Sequence, residues 1–403
     1  MKLGIYGGTF NPPHLGHLAA AQFALDALKL DQLEFVPAAA PPHKTLPEGG
    51  PSAEQRLEMV ELAADGLLLP KKVSVNGMEL HRPGKSYTAD TLEQLQAANP
   101  EAELWLLMGT DMFLTLQNWR EPEVITRLAG ICTFARTQSD SGELLETQAR
   151  YLQETFGART CVLQLPHIVD VSSTQLRELL AQGKGQEYLS PAVYGYIIRQ
   201  GLYGVHYDLK RLPDRELRAC SYSMIRAKRI AHVQGTEEEA VRLAQRWGAD
   251  EEKARRGAIL HDCTKYLTME EQLQLCRKYG IVLDDLEQQA VKLLHAKTGA
   301  CVARDVYGVS DDVYEAIFWH TTGKADMTLL EKILYIADYM EPNRDFPGVE
   351  RLRTLAYQDL DQAVLAGCEM SIQEMRDRGL PVHPNTVRAR DWLRSKSSGK
   401  EPC

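Results

Sequence analysis

The sequence predicts a doubly wound parallel α/β sheet followed by an all-α helical bundle, on three observations. Short apolar runs alternate with stretches of helical spacing up to about residue 203, the pattern of a parallel sheet covered on both faces. Small, polar turns close several of those runs, at the strand ends where open α/β sheets place their ligands. Beyond Pro213 the strand-like runs stop, and imidazole and carboxylate groups recur on apolar helix stripes. A length of 403 residues suits two or three domains at about 150 residues each. Residues 1–203 are expected to form the first, 204–215 a linker, 216–394 the second, and 395–403 a polar, frayed tail.

In the first half, the apolar run 2–6 enters a loop, 7–18, that compresses glycines, prolines and two histidines between a strand and a helix. Exposed N–H groups and the positive end of a helix dipole favour an anion there. His14 and His17, three apart, can present hydrogen-bond donors to the same phosphate. Residues 33–37 form the next strand, and 38–44 a loop that ends in Lys44, placed to meet phosphate. A helix over 52–64, a strand over 73–75 and a helix opening at 86–92 follow. The run 103–108 is long enough for a buried central strand and ends in Gly109-Thr110-Asp111. Trp119 offers an indole that can stack on a planar ring or pack in the core. Strands over 131–135, followed by Arg136, and over 162–165 complete the sheet. Ser172, Ser173 and Thr174, with Arg177 in the same early turns, then open a helix as a second phosphate cradle. Two cradles suggest a polyphosphate.

These residues, with the loop Pro41-Pro42-His43-Lys44, resemble bacterial nicotinate-nucleotide adenylyltransferases over about residues 1–203. The opening loop alone leaves pantetheine-phosphate adenylyltransferase or a cytidylyltransferase possible. The segments Ser86-Tyr87-Thr88-Ala89-Asp90-Thr91-Leu92 and 109–119 select the nicotinate branch. The resemblance implies a Rossmann-like nucleotidyltransferase domain. It would transfer AMP from ATP to nicotinate mononucleotide, releasing pyrophosphate, with Mg²⁺ bridging phosphates. Gly7, Gly8, Thr9, Phe10, His14, His17, Lys44, Ser173, Thr174 and Arg177 would hold ATP, His14 and His17 as the catalytic pair. Thr88 and Trp119 would lie against the nicotinate ring and Asp111 near the ribose or the metal.

The second half reads as helices over 216–232, 237–247, 251–260, 269–279, 284–307, 311–320, 328–339 and 359–378. Leu330, Leu334 and Asp338 share one face, as do Val313, Ile317 and His320, Val291 and His295, Ile225 and His232, and Ala254, Ala258 and Asp262. Each histidine alone is an ordinary core residue, but several inward groups from different helices, beside the pair His261-Asp262, point to a metal cluster in a bundle core.

The order His232, His261-Asp262, His295, His320, Asp338 resembles the HD-domain metallophosphohydrolases. The neighbourhoods 261–265, 319–324, 330–338 and 341–348 resemble the YqeK branch, associated with symmetrical cleavage of diadenosine tetraphosphate to two ADP, over about residues 216–394. The resemblance implies that Asp262 bridges two divalent metals, iron or manganese. His232, His261 and Asp338 would hold one ion, and His295 and His320 the other. Asp262 and Lys265 would be catalytic, and Lys265, Lys324 and Arg344 would neutralise the polyphosphate. Two further readings of this half stay open: another nucleotide substrate, or a non-catalytic sensor whose metals stabilise a regulatory pocket.

Composition restricts the remaining classes. A formal charge of -9 disfavours a general nucleic-acid binder, and no apolar run approaches the length that spans a bilayer. Eight cysteines without a C-x-x-C pair fit reduced thiols in the cytoplasm and no structural disulfides. The expected partners are therefore ATP, nicotinate mononucleotide and diadenosine tetraphosphate, without nucleic acid or membrane, and a homo-oligomer stays open.

Overall fold

The computed structural model describes residues 1–42, 46–135, 142–165, 169 and 171–397. Lys44 and Arg136 lie outside them. The chain divides into two units, Met1–His206 and Tyr207–Cys403.

In the first unit the strands are β1 (Lys2–Gly8), β2 (Gln32–Pro37), β3 (Val73–Val75), β4 (Glu103–Met108), β5 (Ala129–Ala135) and β6 (Thr160–Gln164). They pair in parallel in the order β3-β2-β1-β4-β5-β6. The order reverses between β1 and β4, where Leu3 stands opposite Leu104 and Tyr6 opposite Leu107. Strands buried on both faces explain the near-continuous apolar runs: Leu3, Ile5, Leu104, Leu106 and Leu107 are almost fully buried. The helices are α1 (Leu15–Ala27), α2 (Ala53–Asp65), α3 (Thr88–Ala98), α4 (Thr110–Phe113), α5 (Pro122–Leu128), α6 (Gly142–Phe156), α7 (Ser173–Ala181) and α8 (Pro191–Gln200). The predicted doubly wound sheet is present; α4, α5, α6 and α8 add to the helices read from sequence. In α6, Leu145 and Leu152 are buried and Ala149 and Phe156 pack on the same core, a helical period that the sequence reading passed over.

The second unit is helical: α9 (Asp214–Tyr222), α10 (Ile230–Trp247), α11 (Glu251–Leu260), α12 (Met269–Tyr279), α13 (Val291–Tyr307), α14 (Asp311–Trp319), α15 (Leu329–Met340), α16 (Val349–Gln358), α17 (Leu360–Asp377) and α18 (Pro384–Ser397). Five local expectations change. The helix expected over 216–232 breaks after Tyr222, and a single helix runs through Gly235 where two were expected. Ile225 and His232 therefore do not share a helix face. The helix expected from residue 284 starts at Val291, because Asp284 and Glu287 cap each other in a separate short turn, with Glu287 N–H to Asp284 Oδ1 at 2.8 Å and Asp284 N–H to Glu287 Oε2 at 3.1 Å. Asp262 lies just past the end of α11 rather than on it, and α18 extends into the segment expected to fray.

His383 closes that short turn against α18. Its Nδ1 accepts the Asn385 N–H at 3.2 Å, so in the neutral ring the proton sits on Nε2, 3.5 Å from Glu287 Oε1 and 3.6 Å from Asp284 Oδ2. Lys297 Nζ, 2.6 Å from Glu287 Oε1, already places a cation beside these carboxylates.

Candidate active sites

In the first unit, β1 delivers Gly7 and Gly8 to the reversal point of the sheet, and the chain turns into α1 through His14. The two histidines cap this helix themselves. His14 Nδ1 accepts the Gly16 N–H at 3.2 Å, and His17 Nδ1 accepts the His14 N–H at 3.1 Å. Each neutral ring therefore carries its proton on Nε2. Gly16 is required by this cap, since a Cβ there would lie 2.9 Å from the His14 ring. The ring centroids of His14 and His17 are 3.8 Å apart.

The second cradle is tied to the first. At the start of α7, the Ser173 hydroxyl donates to Pro12 O at 3.1 Å, and Arg177 Nη1 donates to Asn11 O at 2.8 Å. Tyr203 donates to Asn11 Oδ1 at 2.6 Å. Gly7 through Phe10, both histidines, Ser173, Thr174, Arg177 and Asp111 all line one cleft of about 570 Å³. Two helix N-termini and a guanidinium thus converge on one space, an arrangement suited to a polyphosphate.

Thr88 and Trp119 line a smaller, adjoining pocket of about 140 Å³, whose other walls include Val36, Pro41, Leu106 and Met108. Asp111 is not among its walls. Glu79, which the sequence analysis did not single out, is: it is buried, accepts the Thr91 hydroxyl at 2.6 Å, and burial raises its carboxyl above the usual range.

Arg56 was also missed. It is fully buried, and Nη1 donates to Thr9 O at 3.0 Å and Ala38 O at 2.5 Å while Nη2 donates to Ala39 O at 2.8 Å. It clamps the loops after β1 and β2 together. A charge inside the helix 53–65 carries no local signal for such a role. Arg56→Leu strands three carbonyls and is expected to cost at least about 2 kcal/mol in thermal unfolding; an unchanged midpoint would show that the clamp does not matter.

In the second unit, five helices or their ends bring six side chains to one centre: His232 from α10, His261 and Asp262 from the turn after α11, His295 from α13, His320 from the end of α14 and Asp338 from α15. His232, His261, Asp262, His295 and His320 are each at most 5% exposed. Asp262 divides the group. Its Oδ1 lies 3.2 Å from His295 Nε2 and 3.9 Å from His320 Nε2, and its Oδ2 lies 3.5 Å from His261 Nε2 and 3.9 Å from His232 Nε2. Asp338 Oδ1 is 2.9 Å from His232 Nε2 and 3.8 Å from His261 Nε2.

The far sides of the rings determine what the near sides offer. His261, His295 and His320 each turn Nδ1 onto the carbonyl three residues earlier, of Ala258, Lys292 and Ile317, at 2.6 Å. A carbonyl only accepts, so Nδ1 carries the proton and Nε2 presents a lone pair. His295 and His320 then oppose lone pairs across 3.2 Å. Burial lowers the affinity of both rings for a proton, His320 to a pKa of about 3. Burial pushes Asp262 and Asp338 upward, but the surrounding histidines outweigh it and hold both carboxyls well below the usual range. His261, His320 and Asp338, and Asp262, His295 and His320, are spaced so that one cation fits among each set.

A polar support lies beneath His295 and the Asp262 turn: Thr264 Oγ1 donates to His295 O at 3.0 Å, and Gln272 Nε2 donates to Thr264 O at 2.6 Å. Three cations flank the carboxylates. Lys265 Nζ is 3.0 Å from Asp262 Oδ1, Arg344 Nη2 is 3.1 Å from Asp338 Oδ1, and Arg229 Nε, not picked out from sequence, is 2.7 Å from Asp262 Oδ2. Lys324 goes elsewhere, into ion pairs with Glu331 at 2.8 Å and with half-exposed Glu315 at 3.4 Å, because the buried Glu331 carboxylate needs a counter-charge. Among the described residues seven cysteines are free thiols, and no helix is long and apolar enough to cross a membrane.

Residues 5–179 match the cytidylyltransferase-like family model and residues 229–343 the HD domain model. The two units are thus a nucleotidyltransferase-type domain and an HD domain. The second half is 39% identical to "Bis(5'-nucleosyl)-tetraphosphatase, symmetrical" of Bacillus subtilis, over 45% of this chain and 98% of the relative. The first half is 37% identical to "Probable nicotinate-nucleotide adenylyltransferase" of Lachnoclostridium phytofermentans, over 50% of this chain and 98% of the relative. A crystal structure of an HD superfamily hydrolase from Clostridium acetobutylicum is 39% identical and has a TM-score of 0.45, covering 46% of this chain and 98% of that one. The chain belongs to the nicotinate-nucleotide adenylyltransferase family through its first half and to the symmetrical bis(5'-nucleosyl)-tetraphosphatase family through its second.

Proposed function

We propose that this chain is a bifunctional cytoplasmic enzyme, one half adenylating nicotinate mononucleotide with ATP and the other cleaving diadenosine tetraphosphate symmetrically to two ADP. For the first half, the supporting observation is the single cleft that takes both helix N-termini, two Nε2–H histidines and Arg177. The nucleotide's phosphate attacks the α-phosphorus of ATP, and pyrophosphate leaves in line. His14 and His17 donate to phosphate oxygens as charge develops, while Ser173, Thr174 and Arg177 grip the triphosphate. Asp111 would lie near the ribose or near a Mg²⁺ ion carried by ATP, which would neutralise phosphate charge. Gly7, where a Cβ would meet no protein atom within 4 Å, leaves backbone open to the ligand. Lys44, outside the described residues, keeps its proposed role as a phosphate contact.

Thr88 and Trp119 enclose the pyridine ring. Trp119→Ala is expected to raise KM for nicotinate mononucleotide about tenfold, through loss of an aromatic contact, and to leave KM for ATP unchanged. Steady-state kinetics with each substrate varied checks this; an equal rise in both would remove the assignment. Incubation with ATP and alternative acceptors tests the reaction itself, and preference for phosphopantetheine would overturn it.

For the second half, the supporting observation is the pair of Nε2 lone pairs facing each other across 3.2 Å between His295 and His320, where burial disfavours a proton. The donor set suits two divalent ions: His232, His261 and Asp338 would hold one and His295 and His320 the other, with Asp262 able to serve both. Iron or manganese suits this donor set better than magnesium. When bound, the ions supply positive charge to the phosphoryl group and acidify a water molecule. Lys265 and Arg344, beside the carboxylates, neutralise the polyphosphate; Lys324 serves only if released from Glu331. The full-length protein with Mn²⁺ or Fe²⁺ is expected to release ADP from diadenosine tetraphosphate, and His261→Ala to release none. No ADP from the wild type, or none lost in the variant, would remove the tetraphosphate-hydrolase reading.

A further inference from the structure

Of the four histidines, His232 alone turns Nδ1 to a side chain. The carbonyl that serves the others lies three residues upstream on their own segments; for His232 that residue is Arg229, which precedes α10. Its place is taken by Glu341, directly after α15 and 1% exposed, whose Oε1 lies 3.0 Å from His232 Nδ1. The other oxygen, Oε2, is held by the Asn343 N–H at 2.7 Å and by Asn343 Nδ2 at 2.9 Å, so the carboxylate is fixed in direction. One turn along α10 from His232, the helix passes so close that a Cβ on Gly235 would lie 2.4 Å from Glu341 Oε2 and 3.0 Å from Asn343 Nδ2. A glycine inside a helix is otherwise unfavourable. Here it is the space that admits the carboxylate.

We propose that Glu341 is a positioning residue that makes His232 the strongest histidine donor of the centre, so that the ion shared by His232, His261 and Asp338 binds more tightly than the ion shared by His295 and His320. A carboxylate accepts the Nδ1–H more strongly than a peptide carbonyl, fixes the ring, and raises the donor strength of Nε2. The first position also has a second carboxylate, Asp338, while the other has neutral rings beside the shared Asp262. The inference rests on the dinuclear reading of this half.

The test is Mn²⁺ titration of the metal-free full-length protein against a competing chelator. Wild type is expected to show one tighter and one weaker ion. Glu341→Gln keeps the side-chain volume and should weaken the tighter ion by about 10- to 100-fold, leaving the weaker one in place and the metal-free unfolding midpoint little changed. Gly235→Ala favours the helix yet displaces the carboxylate, and should weaken the same ion even if Glu341→Gln folds poorly. Wild-type titration curves in both variants, or a lowered midpoint with unchanged affinities, would overturn the inference. A wild-type protein that takes up no Mn²⁺ would remove the dinuclear reading beneath it.

Discussion

Asp262→Asn is expected to abolish tetraphosphate hydrolysis, lowering kcat/KM by more than about 1000-fold, beyond the roughly 10- to 100-fold that loss of an outer partner costs. Asp262 is the only group of the centre whose two oxygens face different histidine pairs, Oδ1 toward His295 and His320 and Oδ2 toward His232 and His261. An amide keeps the shape but offers one weak oxygen donor and no charge. Metal analysis should therefore show loss of one or both ions together with the activity. The adenylyltransferase activity of the same preparation should be unchanged, which confines the effect to the second unit. The metal-free variant is also expected to be destabilised, since Arg229 and Lys265 lose a nearly buried counter-charge. Full hydrolysis by the variant would exclude Asp262 as the bridging ligand.

His17→Asn is expected to lower kcat for adenylyl transfer by about 100- to 1000-fold, the range for removing one preorganised donor to a developing charge. Asparagine is chosen because its Oδ1 can replace the Nδ1 that accepts the His14 N–H, so the start of α1 stays capped while the Nε2–H is lost. His14→Ala would confuse the two effects, because it also removes the acceptor for Gly16. KM for ATP should change much less than kcat. A variant with wild-type kcat would leave His17 with its capping role alone.

Much of the fold was legible because its signals are local. After Lys2 and Glu103 the runs 3–6 and 104–108 carry no charge, as doubly covered central strands do, and they are neighbours at the reversal of the sheet. The glycine and histidine loop before α1 and the hydroxyl cap of α7 announce themselves within a few residues, and the structure brings them to one cleft. His261-Asp262, His295, His320 and Asp338 stand out because ionisable groups on apolar stripes demand partners. Less legible were the groups whose reason lies far along the chain. Gly235 looks like a flaw in a helix, and its cause is Glu341, which lies in a different helix end. Arg56 looks like a solvated charge on α2, yet it binds carbonyls of two loops. Lys324 looked available and is held by Glu331.

The sequence by itself determined the alternation that makes a parallel sheet, the helical second half, and the residue types that gather at each centre. Only the tertiary structure decided what those histidines are. In the first unit backbone N–H groups donate to Nδ1 of His14 and His17, which leaves Nε2–H as a donor suited to phosphate. In the second unit carbonyls accept from Nδ1 of His261, His295 and His320, which leaves Nε2 as a lone pair suited to a metal, and Glu341 stands behind His232 in the carbonyl's place. The same side chain becomes a donor or a ligand according to what stands behind its ring: for five of these histidines that is a backbone group two or three residues away, whose direction the fold sets, and for His232 it is Glu341, brought from far along the chain by packing.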